Sequence, residues 1–535
     1  MTFDWHNPYP TVRSPVFARN VVSTSHPLAS QAGLRMLLAG GNAVDAAVAA
    51  AAALTIVEPV SNGLGSDLFA ILWDGQRLHG LNASGVAPAA WDAAYFERRH
   101  GGALPMRGWD AVTTPGAVAG WVALSQRCGK LPFGDLLQPA IELAERGHGV
   151  ACIVADKWAR QVPLLAPQPG FAEAFMPRGR APRPGERFTF EAAGRTLRAI
   201  AASAGEAFYR GEVAHALAAH ARACGAAMTE ADLADFRPEW VEPLALDFAG
   251  HTVHQIPPNG QGIAALMALG MLEQLGAGRH AVDSVEGQHL QIEAMKLAFA
   301  DTYRWVGDHR AMTEVSAAHL LSCDYLRERA RLIDPARAQD FAHGTPPSGG
   351  TVYLTAADEQ GRMVSLIQSN YMGFGSGVVV PGTGVSLQNR GHGFTLERGH
   401  PNMVAGGKRP FHTIIPGFLC QDGRPRMSFG VMGGNMQPQG HLQTLVRLLR
   451  HGQQPQAACD APRWKVATGR AIDFEHTMAP GLVAGLRALG HEAEATRDPY
   501  MDFGSGQFIW RLSDDPLDGY VAASDSRRDG QAVGF

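Results

Sequence analysis

Residues Ser348-Gly349-Gly350-Thr351-Val352-Tyr353 run from a Pro/Gly/Ser tract straight into a β-branched and aromatic stretch that reads as a buried strand. A threonine hydroxyl holds its proton at neutral pH and is a poor nucleophile. It becomes a good one when its own α-amino group is free beside it to act as the base. An internal threonine reaches that state only if the bond before it is cut. The stretch therefore predicts a proenzyme that cleaves itself at Gly350–Thr351.

Outward from this point the texture of the chain changes. Before it, helices are expected over Leu28–Leu38, from Asn42 through the alanine run to Val57, from Pro115-Gly116 onward, over Leu137–Arg146 and over Asp283–Trp305. Leu68–Trp73 and Arg77–Leu81 around Asp74-Gly75 read as a hairpin. Pro163–Arg187, rich in Pro, Gly and Arg, reads as loop. After about Pro346 short β-rich runs dominate: Val352–Ala357, Met363–Gln368, Gly377–Val380 and Val385–Leu387. Helix returns at Gly440–Arg450 and Gly481–Leu489. Two strand-rich sheets covered by helices make a layered α/β sandwich.

The 535 residues are 46% hydrophobic and 18% charged, ample for a large core. A net charge of −4 is small for this length and offers no field for nucleic acid or an anionic membrane. Six cysteines lie far apart with no CxxC pair, which fits buried thiols in a reducing compartment better than a disulfide framework. The start, Met1-Thr2-Phe3-Asp4-Trp5-His6, lacks a basic segment followed by an apolar one, so a cytoplasmic location is expected. Ala46–Val57 is too short to span a bilayer and reads as a core helix.

Gly260-Gln261-Gly262-Ile263-Ala264-Ala265 matches the loose dinucleotide fingerprint, with Asp283 at a suitable distance. Pro257-Pro258 stands where that fingerprint needs a strand. No nucleophile elbow, phosphate loop or zinc-protease motif is present, and His26, His392, His400 and His412 are isolated. Neither a metal nor a cofactor is expected. If the strands after Thr351 are antiparallel neighbours, Ser369 returns a hydroxyl beside it. Gly433-Gly434, after the apolar Phe429–Met432, offers two unobstructed N–H groups of the kind an oxyanion hole needs. Each piece also has a plainer reading, as a strand-end cap and a turn.

Over nearly its whole length the chain resembles the γ-glutamyltransferase (γ-glutamyl transpeptidase) family of N-terminal-nucleophile hydrolases. The tracts that carry this are Gly40–Ala47, Glu58-Pro59 through Gly63-Leu64-Gly65-Ser66-Asp67, Thr114–Gly120, and Glu293–Lys296 with Phe299-Ala300-Asp301. Phe374–Gly377, Pro381–Gly384, Lys408-Arg409-Pro410 and Gly433-Gly434 follow in order. The resemblance implies cleavage into a large chain, 1–350, and a small chain, 351–535, folded together as one four-layer αββα sandwich. It implies that Thr351 attacks an amide to form an acyl-enzyme, that the Gly433 and Gly434 amides stabilise the oxyanion, and that water or a second amine takes the acyl group. Ser369 falls where the family places a second threonine against the nucleophile. The partners implied are a small-molecule amide and the protein's own other chain, as a heterodimer or a pair of heterodimers.

The departures concern the substrate. The place of the arginine that holds a γ-glutamyl α-carboxylate falls near Ser84, and that of the aspartate holding the α-ammonium falls at Gly393, in Asn389-Arg390-Gly391-His392-Gly393-Phe394. The family's paired serines become His412 and Thr413, and an asparagine becomes Tyr371. With the acid lost and Arg390 and His412 gained, the expected substrate carries a carboxylate and no ammonium, since an unpaired buried charge is costly. The plainer reading of Arg390 is an ion pair with a structural acid. Within the family the chain is similar to the oxamate amidohydrolases, and the dicarboxylic acyl groups taken by cephalosporin acylases fit the same swap. Expected contacts to the substrate are Arg390, Tyr371, His412, Thr413 and Asn389. Two alternatives stay open: a γ-glutamyl hydrolase or transferase acting on glutathione, and an uncleaved member that only binds.

Overall fold

The computed structural model describes residues 4, 8–11, 13–341, 350–496 and 503–535. Ser348, Gly349 and the rest of the tract before Gly350 lie outside the described residues. Strands of the first part are β1 (Val16–Ala18), β2 (Val21–Thr24), β3 (Asp67–Trp73), β4 (Leu78–Ala83), β5 (Glu239–Val241), β6 (Leu244–Phe248) and β7 (His251–Gln255). Those of the second are β8 (Gly350–Ala357), β9 (Met363–Tyr371), β10 (Gly417–Gln421), β11 (Arg424–Met432), β12 (Ser505–Arg511), β13 (Tyr520–Ser524) and β14 (Gln531–Gly534).

These strands make two antiparallel seven-stranded sheets, ordered β14-β2-β8-β9-β3-β4-β5 and β1-β13-β12-β11-β10-β7-β6. Both of these sheets mix strands from before and after Thr351, so neither part of the chain could form either of them alone.

Three apolar cores show the layering. One lies between the sheets and holds Phe69, Ile71, Tyr353, Ile367, Phe418 and Ile509. A second packs the first sheet under the helices of the chain's first part, with Val352, Leu354 and Ala356 of β8 facing Val48, Ala52 and Trp121. The third packs the second sheet under helices Gly262–Leu275, Val285–Trp305 and Met436–His451. Each sheet is thus covered by helices on one face and by the other sheet on the other, the expected αββα sandwich.

Local chemistry explains the elements. Asn42 and Asp45 form a capping box that starts helix Ala43–Val57, and every residue of that helix is buried. Its alanines let neighbouring backbones come close, and the cap contributes about 1 kcal/mol. Phe171 and Phe175 are buried against Trp158 and Phe374. That aromatic cluster corrects the loop reading of Pro163–Arg187. Helix Cys152–Leu165 runs through Pro163, a short helix spans Phe171–Phe175, and Arg187–Phe188 pairs with His148–Gly149. Val379–Val380 and Val385–Ser386 pair only with each other, outside both sheets. Among the described residues no helix is long and apolar enough to cross a membrane.

Candidate active site

Side chains alternate along a strand, so Thr351, Tyr353 and Thr355 of β8 share the face toward the second sheet. Contacts fix the crossing of β8 and β11. Thr355 Oγ1 lies 2.6 Å from Ser428 Oγ, and the Tyr353 ring lies against Gly430, where a Cβ would collide with it. Two residues back along β8 and two forward along β11 set Thr351 level with Met432, immediately before Gly433-Gly434. Ser369 and Ile367 of β9 share that inner face, and Thr351 Oγ1 is 3.1 Å from Ser369 Oγ. Both hydroxyls are buried.

Ser369 Oγ also accepts hydrogen bonds from Arg390 Nη2 at 2.9 Å and from the Tyr371 amide at 2.8 Å. An oxygen that already accepts from a guanidinium is a weak base, so Ser369 is suited to donate toward Thr351 and unsuited to take its proton. Tyr371 holds φ at 77°, a strained left-handed backbone for a non-glycine residue, and its ring lies 4.4 Å from the Arg390 guanidinium carbon.

Arg390 Nη1 donates to Thr413 Oγ1 at 2.8 Å. Gln261 Nε2 donates to the carbonyls of both Thr413, at 2.6 Å, and Gly434, at 3.0 Å. A series of hydrogen bonds therefore runs from Thr351 through Ser369, Arg390, Thr413 and Gln261 to Gly434. Gly433 and Gly434 sit at φ 122° and 58°, and among the described residues no acceptor takes either N–H. Their carbonyls start helix Met436–His451, accepting from Met436 and Gln437.

The charges differ from the sequence reading in two respects. An acid does remain near Arg390: Asp67 is buried, accepting from the Gly85 amide at 3.0 Å and from His412 Nε2 at 3.1 Å. Burial pushes Asp67 up to about 7, against the downward pull of Arg390. His412 does not add a cation. Burial and then repulsion from Arg390 hold it well below the usual imidazole range, and its Nδ1 accepts from the Ile414 amide. Arg390 is lowered to about 10 by burial and is still a cation at neutral pH. Among the described residues it makes no ion pair within 4.0 Å, and its Nε is buried without a partner.

Asn389 serves the scaffold, accepting from the Met372 amide at 3.2 Å and donating to the Met106 carbonyl at 2.9 Å. Ser84 is likewise tied to Asn82 and Asn259. Gln261 and Asp67 were missed as site residues. Gln261 stood in the discarded fingerprint, and Asp67 lay in a matching tract without an assigned role. A buried acid paired with a buried His across 345 positions leaves no signal in local spacing.

His289, Glu293 and His491 bring three donor atoms within 4.8 Å of one another. Most of their atoms are already engaged: Lys296 Nζ lies 2.6 Å from Glu293 Oε1, and His289 bonds His491 Nε2 at 2.8 Å and the Asp334 carbonyl at 2.9 Å, while His491 Nδ1 is buried without a partner among the described residues.

The gamma-glutamyltranspeptidase family model matches residues 29–535. The oxamate amidohydrolase proenzyme of Klebsiella pneumoniae is 37% identical over 98% of this chain and 99% of that protein. The glutathione hydrolase-like YwrD proenzyme of Bacillus subtilis is 35% identical over 98% of this chain and all of that one. Among solved structures, the cephalosporin acylase from Bacillus halodurans superposes with a TM-score of 0.93 at 46% identity, covering 100% of this chain and 99% of that one. With the fold, a buried threonine at the head of β8 and these likenesses together, the chain belongs to the gamma-glutamyltranspeptidase family of N-terminal-nucleophile hydrolases.

Proposed function

We propose that the protein matures by cutting its own Gly350–Thr351 bond and then hydrolyses a small amide whose carboxylate is attached directly to the scissile carbonyl, as in oxamate. In maturation Thr351 Oγ1 attacks the Gly350 carbonyl carbon. The peptide C–N bond gives way to an ester, and water releases Gly350 as a carboxylate and Thr351 with a free amine. In turnover that amine takes the hydroxyl proton as Thr351 attacks the substrate, Ser369 donates to the reacting oxygen, and the Gly433 and Gly434 N–H groups receive the oxyanion. The amide C–N bond breaks, the proton leaves with ammonia, and water hydrolyses the acyl ester.

The observation that carries the acyl group is the place of Arg390. It is a buried cation with no contacting carboxylate among the described residues, separated from Thr351 Oγ1 by one hydroxyl and two hydrogen bonds of 3.1 and 2.9 Å. A carboxylate one carbon from the scissile carbonyl spans that gap. The α-carboxylate of a γ-glutamyl group lies four carbon–carbon bonds from its carbonyl and would overshoot. The likeness to an oxamate amidohydrolase supports the same reading.

Purified protein offered oxamate and γ-glutamyl-p-nitroanilide is expected to release ammonia from the first far faster than nitroaniline from the second. The reverse order would replace this reading with a γ-glutamyl one.

A further inference from the structure

A second arginine stands beside the site with no carboxylate in contact among the described residues. Arg107 lies on the segment between helix Ala93–His100 and the turn Trp109–Ala111. Its Nη1 donates to the carbonyls of Gly373, at 2.9 Å, and Gly375, in the turn that leaves Tyr371. The neighbouring Met106 carbonyl is held by Asn389, the residue before Arg390. Arg107 and Arg390 thus stand on either side of the same short turn. Arg390 is fully enclosed, whereas Arg107 is half-buried and Met106 is 40% exposed, so the line from one arginine to the other runs outward.

Among the described residues no carboxylate forms an ion pair with Arg107, and its Nε is buried without a partner. Burial lowers it to about 10, and no acid offsets that. Among the described residues the guanidinium is held by carbonyls through Nη1 alone, which leaves Nη2 as a charged donor for one carboxylate oxygen.

We infer that Arg107 forms a second anion subsite, which receives a carboxylate on the amine portion of the substrate. This rests on the reading of Arg390 as the acyl-group cation: with the acyl carboxylate held next to Thr351, a more distant anion belongs to the leaving amine. The substrate class is an N-oxalyl amino acid or a similar dianion. Its hydrolysis breaks the amide C–N bond, forms the acyl ester on Thr351, and sends the proton out with the amino acid. Water then yields oxalate.

The test compares N-oxalylglycine with N-methyloxamate, which lacks the second carboxylate, on the mature enzyme. The expected result is a kcat/KM at least about tenfold higher for N-oxalylglycine, in line with one charge-assisted hydrogen bond. Arg107→Gln is expected to lose about ten times more on N-oxalylglycine than on N-methyloxamate. A wild-type preference for N-methyloxamate overturns the inference. So does an equal loss on both substrates, since a strut that only holds the Gly373–Gly375 turn would affect them alike. Arg107→Lys keeps the charge and a donor for the carbonyls, and is expected to retain part of the preference even if the glutamine variant fails to mature. The Arg390 reading is judged separately, by turnover of oxamate itself. If neither N-substituted compound is turned over, the subsite is decided by calorimetric binding of N-oxalylglycine, which Arg107→Gln must weaken more than binding of N-methyloxamate; equal weakening overturns the inference.

Discussion

At the scale of single residues the proposed mechanism gives separate tasks to two hydroxyls 3.1 Å apart, those of Thr351 and Ser369. Thr351→Ala is expected to remain one full-length chain on a denaturing gel and to be inactive. Ser369→Ala keeps the proposed nucleophile but removes the hydroxyl that hydrogen-bonds it. It is expected to mature, with kcat lowered roughly a hundredfold, in the range that a positioned proton donor contributes. Arg390→Gln should raise KM for oxamate about ten- to a hundredfold, the value of a charge-assisted hydrogen bond to a buried carboxylate.

Asp67 yields a pH dependence. Its carboxyl is raised from the ordinary 3.8 to about 7 in the folded protein, so between those values the folded state holds a proton that the unfolded state has released. The stability this group contributes is complete below pH 3.8 and is lost as pH rises to about 7. Asp67→Asn, whose amide oxygen can still accept from His412, should therefore gain melting temperature relative to the wild type as pH rises through that window. A difference between the two proteins that does not change with pH would contradict the assignment.

At the scale of elements, the site depends on how closely β8 and β11 cross. Gly430 is the point of closest approach, because any side chain there would enter the Tyr353 ring. Gly430→Ala is expected to cost about 1–3 kcal/mol by overpacking, seen as a lower denaturation midpoint. It should also slow maturation, since pushing β11 away withdraws Gly433 from Thr351. The helices and hairpin were readable in the sequence because apolar periodicity and caps are local. Asn42, Asp74-Gly75 and Pro115-Gly116 mark boundaries with chemistry of their own. Phe171–Phe175 was not readable, because what orders it is burial against Trp158 and Phe374, the latter some two hundred positions away.

At the scale of the whole molecule, the first sheet interleaves strands of the two prospective chains. Strands β14, β9 and all of β8 but Gly350 belong to 351–535, and β2 and β3 to 1–350, with β8 hydrogen-bonded to β2 and β9 to β3. Cleavage before Thr351 would cut the connection without removing any of this pairing. The matured protein is expected to show two bands on a denaturing gel and a single peak carrying both in native size exclusion. Separation of the chains without denaturant would show that the interleaving does not hold them.

The sequence by itself determined the family and the enzyme class. Thr351 after a glycine at a strand start, Ser369 one hairpin later and Gly433-Gly434 after an apolar run are local patterns on which the proposed chemistry rests, and the ordered matching tracts gave them a common frame. Only the tertiary structure decided what surrounds Thr351. Asp67 is paired with a neutral His412 near Arg390, Gln261 ties Thr413 to Gly434, and Arg390 comes to rest one hydroxyl from the Thr351 oxygen. These relations join residues that are far apart in sequence, and their charge states follow from burial. The spacing of a chain does not record burial before the sheets have closed on each other.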